Sequence, residues 1–214
     1  MMENFKIIIK THGEEGFLPI CKDGTTYYGG YQGWLKDEGI KEFYSNRSCS
    51  VTAASNFFLH MIYCKDHKEM EKIDYKIFNF YQKEIYRYIR PRPWGIISIG
   101  ILDRSFSKYV KEKGLNFKKV VFKGEFSRAN VLNYIKSALE KNLPVLLLTW
   151  GSELKELSYH WITIIGLYSS DGHITMVSSN WGELREYDFN RWFDSFSLYK
   201  GLIYWDENKK YNEN

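Results

Sequence analysis

The sequence has few cysteines, and their spacing excludes the common zinc and disulfide frameworks. The three are Cys21, Cys49 and Cys64, and none of them belongs to a C-x-x-C element. An odd number without a framework is typical of a reducing compartment or of one free reactive thiol. We therefore expect no metal ion, and at least one cysteine that is free for chemistry.

Long hydrophobic runs are also missing. No stretch approaches the roughly eighteen consecutive apolar residues that a transmembrane helix needs. The first ten residues contain no apolar segment of the kind found in signal peptides. These absences predict a cytoplasmic protein that does not bind membranes, although leaderless export stays open.

A concentrated basic stripe is the third absence. The net charge is +4, and the basic residues are scattered apart from the segment 87–93, which is most simply a solvated helix end. This scatter argues against nucleic-acid binding. Aromatic residues, by contrast, make up 18 % of the chain, so some of them are expected to line a groove as well as the core. The candidates for a groove are Tyr28, Tyr31, Trp34, Trp161 and Trp181.

The order of the predicted elements is helices first and strands second. This order is typical of an α+β fold in which a helical lobe packs on an antiparallel sheet. We predict one domain with a helical lobe at about 40–115, a sheet lobe at about 116–206 and a polar tail at 207–214.

Two predicted helices fill most of the helical lobe after residue 65. One runs from about His67 to Ile89 and ends before Pro91 and Pro93, and a shorter one runs from Ser105 to Lys113 after an irregular segment. The spacing of apolar residues predicts that the first of them faces the core with Met70, Ile73, Ile77, Phe80, Tyr81 and Tyr88.

The most informative stretch surrounds Cys49. Apolar residues from Val51 onward recur at helical spacing, and Ser48 or Asn46 can cap the helix, so Cys49 is predicted to occupy the first helical position. There the free backbone N–H groups and the helix dipole favour a thiolate, and a paired histidine would lower the pKa of the thiol further. The alternative is a small cysteine that merely packs in the core.

A histidine and an asparagine complete a possible nucleophilic site. His160 begins a predicted strand, and Asn180 ends the strand that returns from it through the turn Asp171-Gly172. Cross-strand neighbours lie close enough for Asn180 to orient the imidazole, which would act as the base for Cys49. Each residue alone has a structural alternative, but the joint arrangement favours a Cys–His site with Cys49, His160 and Asn180 as its catalytic residues.

The sequence resembles the papain-like cysteine peptidases, and more closely their bacterial C39-like branch. The run from Cys49 to Asn56 approximates the Cys-Gly-Pro-Thr-Ala-Ala-Asn helix start of that branch, and His160-Trp161 and Asn180-Trp181-Gly182 match its later motifs. The resemblance covers about 27–192 and implies a papain-like fold and a catalytic triad. Ser50 and Val51 depart from the glycine and proline of the motif.

The resemblance also implies a side-chain donor for an oxyanion hole, usually a glutamine a few residues before the cysteine. Phe43 and Tyr44 occupy that region here. Gln32 is a candidate from further upstream and Asn46 is a nearer one, while the backbone N–H of Cys49 would be the second donor. Gln32 can equally be a residue that only ties down its glycine-rich loop.

These features predict a thiol hydrolase, specifically a cysteine peptidase that acts on a peptide or protein substrate without a cofactor. A transglutaminase-like acyl transfer is an alternative, because it shares the same acyl-enzyme. An inactive pseudopeptidase that binds peptides is a third possibility. The sequence leaves the oligomeric state open.

Overall fold

The fold is α+β, with an antiparallel sheet and surrounding helices. The computed structural model of the protein describes residues 4–11, 14–65 and 72–207. Its helices are α1 (Glu42–Ser45), α2 (Cys49–Lys65), α3 (Tyr75–Ile89), α4 (Ile99–Glu112), α5 (Arg128–Leu139) and α6 (Phe189–Asp194), with a 3-10 helix at Gln32–Glu38. Its strands are β1 (Phe5–Ile8), β2 (Lys10–Thr11), β3 (Glu14–Glu15), β4 (Pro19–Lys22), β5 (Thr25–Tyr28), β6 (Ile73–Asp74), β7 (Phe117–Val121), β8 (Val145–Ser152), β9 (His160–Ser170), β10 (His173–Asn180), β11 (Glu183–Asp188) and β12 (Ser197–Glu207).

The main sheet has seven strands, all paired antiparallel. Its order is β11-β10-β9-β8-β12-β7, and β1 pairs with the distal half of β9. The central strands are apolar on both faces, and all four residues from Val145 to Leu148 are fully buried, because helices and loops cover both sides of the sheet. The predicted α+β class with an antiparallel sheet is confirmed.

Helix α2 runs through the core between the sheet and α3. It begins at Cys49, as predicted, and its residues from Cys49 to Met61 are buried on every side. A helix that is buried all round is held by packing rather than by one apolar stripe. The position of its first residue is therefore set by the core.

Helix α3 differs from the prediction in its start and in its buried face. It begins at Tyr75, capped by the Asp74 carboxylate, which accepts from the Lys76 N–H at 2.7 Å, while Ile73 belongs to β6. Ile77 and Phe80, predicted to face inward, are exposed. The face that is buried consists of Phe78, Asn79, Gln82, Ile85 and Ile89. The predicted part at 66–71, which includes His67 and Met70, lies outside the described residues.

Helix α4 is longer than predicted because its cap lies earlier. The Ser98 hydroxyl accepts from the Ile101 N–H at 3.3 Å, and the helix starts at Ile99 rather than at Ser105. Helix α5 is capped by Ser127, whose hydroxyl accepts from the Asn130 N–H at 3.3 Å.

Strand β12 already includes Glu207, so the predicted polar tail at 207–214 begins inside a strand and its remainder lies outside the described residues. Within the described ranges, no helix combines the length and the apolarity that a membrane crossing requires.

Candidate active site

Cys49 lies at the N-terminus of α2, beside the first residues of β9. Its side chain is buried, with a relative exposure of 9 %. Burial raises the pKa of the Cys49 thiol to about 11, although the backbone N–H groups of Trp161, Ser50 and Cys49 itself favour the thiolate. The predicted lowering of this pKa is therefore wrong, because removal from water outweighs the amide dipoles. The sulfur is a neutral thiol near pH 7.

The side chains of Ser48 and Asn46, the two predicted caps, do not accept hydrogen bonds from the N–H groups at the start of α2. The Ser48 hydroxyl donates to the Tyr44 carbonyl at 2.7 Å, while the Ser48 carbonyl accepts the Thr52 N–H at 2.9 Å. Ser48 thus occupies the cap position without the capping hydrogen bond that serine usually makes. The N–H groups at this end remain directed toward the Cys49 sulfur.

His160 is held by Asn180 in a defined tautomer. The distance between His160 Nε2 and Asn180 Oδ1 is 2.7 Å, and Asn180 Nδ2 donates to the Tyr187 hydroxyl at 3.0 Å. Because the amide nitrogen is engaged by Tyr187, its oxygen faces the imidazole and accepts from Nε2–H. The neutral ring therefore has its hydrogen on Nε2 and a lone pair on Nδ1. Nδ1 can accept a proton, as a general base must.

A β-bulge brings Asn180 onto the same face of the sheet as His160. The register between β9 and β10 shifts between Val177 and Ser178, so that Ser178 lies opposite Ile164. Directly opposed residues share a face, and so do residues two apart. Without the bulge, Asn180 would point to the other side of the sheet. This one-residue irregularity makes the hydrogen bond between the two side chains possible.

The imidazole is shielded from solvent by an aromatic ring. The Trp181 ring lies 4.9 Å from the His160 ring between centroids, and the Arg185 guanidinium covers Trp181 at 4.8 Å. Burial lowers the pKa of His160, an effect that the Asn180 hydrogen bond opposes and the nearby Arg185 charge reinforces. His160 is therefore neutral near pH 7 and able to accept a proton.

Gln32 and the three predicted catalytic residues line one narrow inner cavity. Its volume is about 10 Å³, which is room for about one water molecule. Gln32 Nε2 donates to the Asn46 carbonyl at 2.8 Å, and Gln32 Oε1 is buried without a hydrogen-bond partner in the described part of the chain. The Asn46 residue is exposed and lines a different, outer groove. Of the two predicted donors, only Gln32 reaches the inner cavity.

The loop before Gln32 approaches the core closely. A Cβ atom on Gly30 would lie 2.0 Å from the Phe78 ring, so only glycine fits there. The Gly30 N–H donates to Asn56 Oδ1 at 2.8 Å, and Asn56 Nδ2 donates to the hydroxyls of Thr163 and Ser179 at 3.3 and 3.2 Å. Asn56 thus joins this loop, helix α2 and the sheet beneath the cavity.

An outer groove of about 470 Å³ is also lined by Cys49 and His160, which it shares with the inner cavity. Its other aromatic walls are Trp94, Trp150, Tyr159 and Trp161. Trp161 Nε1 donates to the Ile96 carbonyl at 2.7 Å, which fixes the loop that carries Trp94 against the strand of His160. A groove of this size and composition fits a ligand segment with apolar side chains.

The sequence reasoning found part of this aromatic lining. Trp161 lines both the outer groove and the inner cavity, and Trp181 lines the inner cavity. Trp34 is buried in the core, and Tyr28 and Tyr31 are exposed outside both spaces. Trp94, Trp150 and Tyr159 were missed. Their signal was position: Tyr159 directly precedes His160, and Trp94 follows the prolines that end α3.

Searches against protein-family models, curated proteins and solved structures found no match to this chain. Among the described residues there is also no cluster of three or more His, Cys, Asp or Glu side chains arranged to hold a metal ion.

Proposed function

We propose that this chain is a papain-like thiol hydrolase that cleaves peptide or amide bonds through an acyl-enzyme on Cys49. The observation that carries the proposal is the 2.7 Å hydrogen bond from His160 Nε2 to Asn180, in a cavity that Cys49 shares. A base with a free Nδ1, oriented by a third residue and lining the same cavity as a thiol, is the arrangement that nucleophilic catalysis requires.

The chemical steps follow from these roles. The Cys49 sulfur bonds to the substrate carbonyl carbon while His160 Nδ1 takes the thiol proton. The same proton passes to the leaving nitrogen as the C–N bond breaks. Water then attacks the thioester, giving one proton to His160, and that proton returns to the sulfur. Because both groups are neutral at the start, we infer that proton transfer accompanies attack rather than precedes it.

Gln32 has the role of oxyanion donor in this proposal. Its free N–H and the backbone N–H of Cys49 would stabilise the charge that develops on the carbonyl oxygen. The outer groove would hold the peptide segment next to the scissile bond, with Trp94 and Tyr159 exposed to receive it.

The test is the formation of an acyl-enzyme with p-nitrophenyl acetate, which needs no knowledge of the natural substrate. We expect a burst of p-nitrophenol and an acetyl group that peptide mapping assigns to Cys49. Cys21, a half-buried free cysteine, is the internal control. Acetylation of Cys49 no faster than that of Cys21 would contradict the proposal.

A peptide-binding module without turnover is the second candidate, and the raised pKa of Cys49 is the observation that favours it. It predicts a bound peptide in the outer groove and an unreactive thiol. Transfer to an amine, as in transglutaminase-like enzymes, shares the acyl-enzyme with hydrolysis. It is distinguished by product analysis with and without added glycine methyl ester, because hydrolysis yields only the carboxylate.

Asn180 is expected to contribute a moderate amount to the rate. Replacing Asn180 with alanine removes a hydrogen bond worth about 1 kcal/mol, which corresponds to a roughly fivefold slower acetylation of Cys49. The matched variant Tyr187→Phe removes only the partner of the asparagine amide and should slow the reaction less. Stopped-flow measurement of p-nitrophenol release checks both. A larger loss in Tyr187→Phe than in Asn180→Ala would refute the orienting role.

A further inference from the structure

Helix α3 carries two amide side chains on its otherwise apolar buried face. Asn79 and Gln82 have relative exposures of 1 % and 0 %. Each has an amide oxygen that is buried without a hydrogen-bond partner in the described part of the chain. A buried polar group without a partner is destabilising, so an apolar residue would serve packing better at either position. The contacts of the two amide nitrogens tell the residues apart.

Gln82 joins the two segments that flank the nucleophile. Its Nε2 donates to the Thr52 hydroxyl at 2.8 Å and lies 3.4 Å from the Tyr31 carbonyl, which it also reaches as a donor. Thr52 lies in the first turn of α2, and its hydroxyl donates to the Ser48 carbonyl at 3.1 Å, directly before Cys49. Tyr31 directly precedes Gln32. A single nitrogen therefore connects the helix of the nucleophile to the segment of the oxyanion donor.

Other hydrogen bonds hold Gln32 from different sides. The Ser45 hydroxyl donates to the Gln32 carbonyl at 2.8 Å, and the Gln32 side chain donates to the Asn46 carbonyl at 2.8 Å. These two contacts tie Gln32 to the end of α1 and the turn after it. The contact from Gln82 ties it to α2 itself, which is the element that fixes the Cys49 sulfur.

Asn79 makes contacts of the same kind at a different place. Its Nδ2 donates to the Trp34 carbonyl at 3.1 Å and to the Glu38 carboxylate at 3.5 Å. Both acceptors belong to the 3-10 helix and lie beyond Gln32, and neither belongs to α2. Asn79 is therefore a matched control: a buried amide on the same helix that holds the same segment without reaching the first turn of α2.

We propose that Gln82 is a positioning residue that sets the distance between the Gln32 amide and the Cys49 sulfur. This inference rests on the proposed function and deepens it, because it assigns a role to a residue that does not line the inner cavity. Loss of the contact would let the Gln32 segment shift relative to α2. Oxyanion stabilisation depends on donors held at about 2.7–3.1 Å, so a small shift weakens it strongly.

The test compares two reactions of the same thiol. Acetylation by p-nitrophenyl acetate forms a bond from Cys49 Sγ to the carbonyl carbon and breaks the ester C–O bond, and negative charge develops on the carbonyl oxygen. The thiol proton passes to His160 and then to solvent. Alkylation by iodoacetamide displaces iodide from a saturated carbon and develops no oxyanion. A change in the oxyanion donor therefore slows only the first reaction.

We expect Gln82→Met to slow acetylation of Cys49 by about tenfold or more, since misplacement of a catalytic group on the order of 1 Å can cost up to about 10²-fold. Alkylation should change by less than about threefold, because Cys49 and His160 stay in place. Asn79→Leu should leave both rates within the same factor, even where it lowers the melting temperature. The double variant Gln82→Met with Gln32→Ala should acetylate no more slowly than Gln32→Ala alone.

Each other outcome overturns the assignment. Equal slowing of both reactions in Gln82→Met would mean a general structural role, and no slowing would mean no role. If Asn79→Leu slowed acetylation as much as Gln82→Met does, the role of Gln82 would again be a general structural one. Thr52→Val removes the hydroxyl at the other end of the contact and should reproduce the selective slowing, which covers the case that Gln82→Met does not fold. A wild-type protein that acetylates Cys49 no faster than Cys21 would overturn the proposed function, and the positioning role with it.

Discussion

Replacing His160 with alanine is expected to slow the acetylation of Cys49 by about 10²–10⁴-fold near pH 7, the contribution typical of a positioned general base. The reason is the state of the thiol. Because burial raises its pKa to about 11, the thiol is neutral near pH 7, and a base must take its proton as the sulfur attacks. The control is His173→Ala, which removes an exposed histidine at the far end of the same hairpin and should leave the rate unchanged.

The pH dependence makes this prediction sharper. The pKa of His160 is lowered by burial, so the imidazole stays neutral below its ordinary pKa of 6.5 and the wild-type rate should fall only at still lower pH. Above that limb the rate should stay level, because His160 remains a base. In His160→Ala the rate should instead rise steadily with pH, because attack then depends on the small fraction of thiolate that forms without a base.

Stopped-flow release of p-nitrophenol between about pH 5 and 10 measures both profiles, a range chosen to include the ordinary histidine pKa. A variant with the same rate and the same profile as the wild type would refute the assignment of His160 as the base. A wild-type acid limb above pH 6.5 would show that His160 is stabilised in its charged form, contrary to its burial.

The start of α2 could be predicted from the sequence because the information is local. Small and apolar residues recur at helical spacing from Cys49 onward, and the turn Asp171-Gly172 marks the hairpin of His160 and Asn180. The sequence could not predict that Asn180 and His160 lie on the same face of the sheet. It depends on the bulge between Val177 and Ser178, which no turn or composition signal announces.

The buried face of α3 could not be predicted for a different reason. Hydrophobic periodicity assigns Ile77 and Phe80 to the core and leaves Asn79 and Gln82 to solvent. The structure reverses this, because the two amides find backbone and hydroxyl partners on the 3-10 helix and α2. Such partners belong to distant segments, so hydrophobic periodicity assigns buried polar residues to the surface.

The choice between the two candidate oxyanion donors also depended on long-range packing. Asn46 is nearer to Cys49 in sequence, but its side chain belongs to an exposed turn, whereas Gln32 is brought to the cavity by the loop that packs at Gly30. Proximity along the chain therefore does not decide which of the two residues lines the inner cavity. The hydrogen bond from Gln32 to the Asn46 carbonyl uses only the Asn46 backbone.

This difference leads to the second large effect. Gln32→Ala is expected to slow acetylation of Cys49 by about 10²–10³-fold, the usual cost of removing one oxyanion donor, while alkylation by iodoacetamide changes little. Asn46→Ala is the matched control, because it keeps the carbonyl that holds Gln32 and should slow acetylation by less than about threefold. The two reactions are followed by p-nitrophenol release and by mass spectrometry of the modified Cys49 peptide. A greater loss in Asn46→Ala than in Gln32→Ala would transfer the donor role to Asn46. Equal loss of both reactions in Gln32→Ala would mean that Gln32 shapes the cavity rather than stabilising the oxyanion, because only the carbonyl addition builds negative charge within its reach.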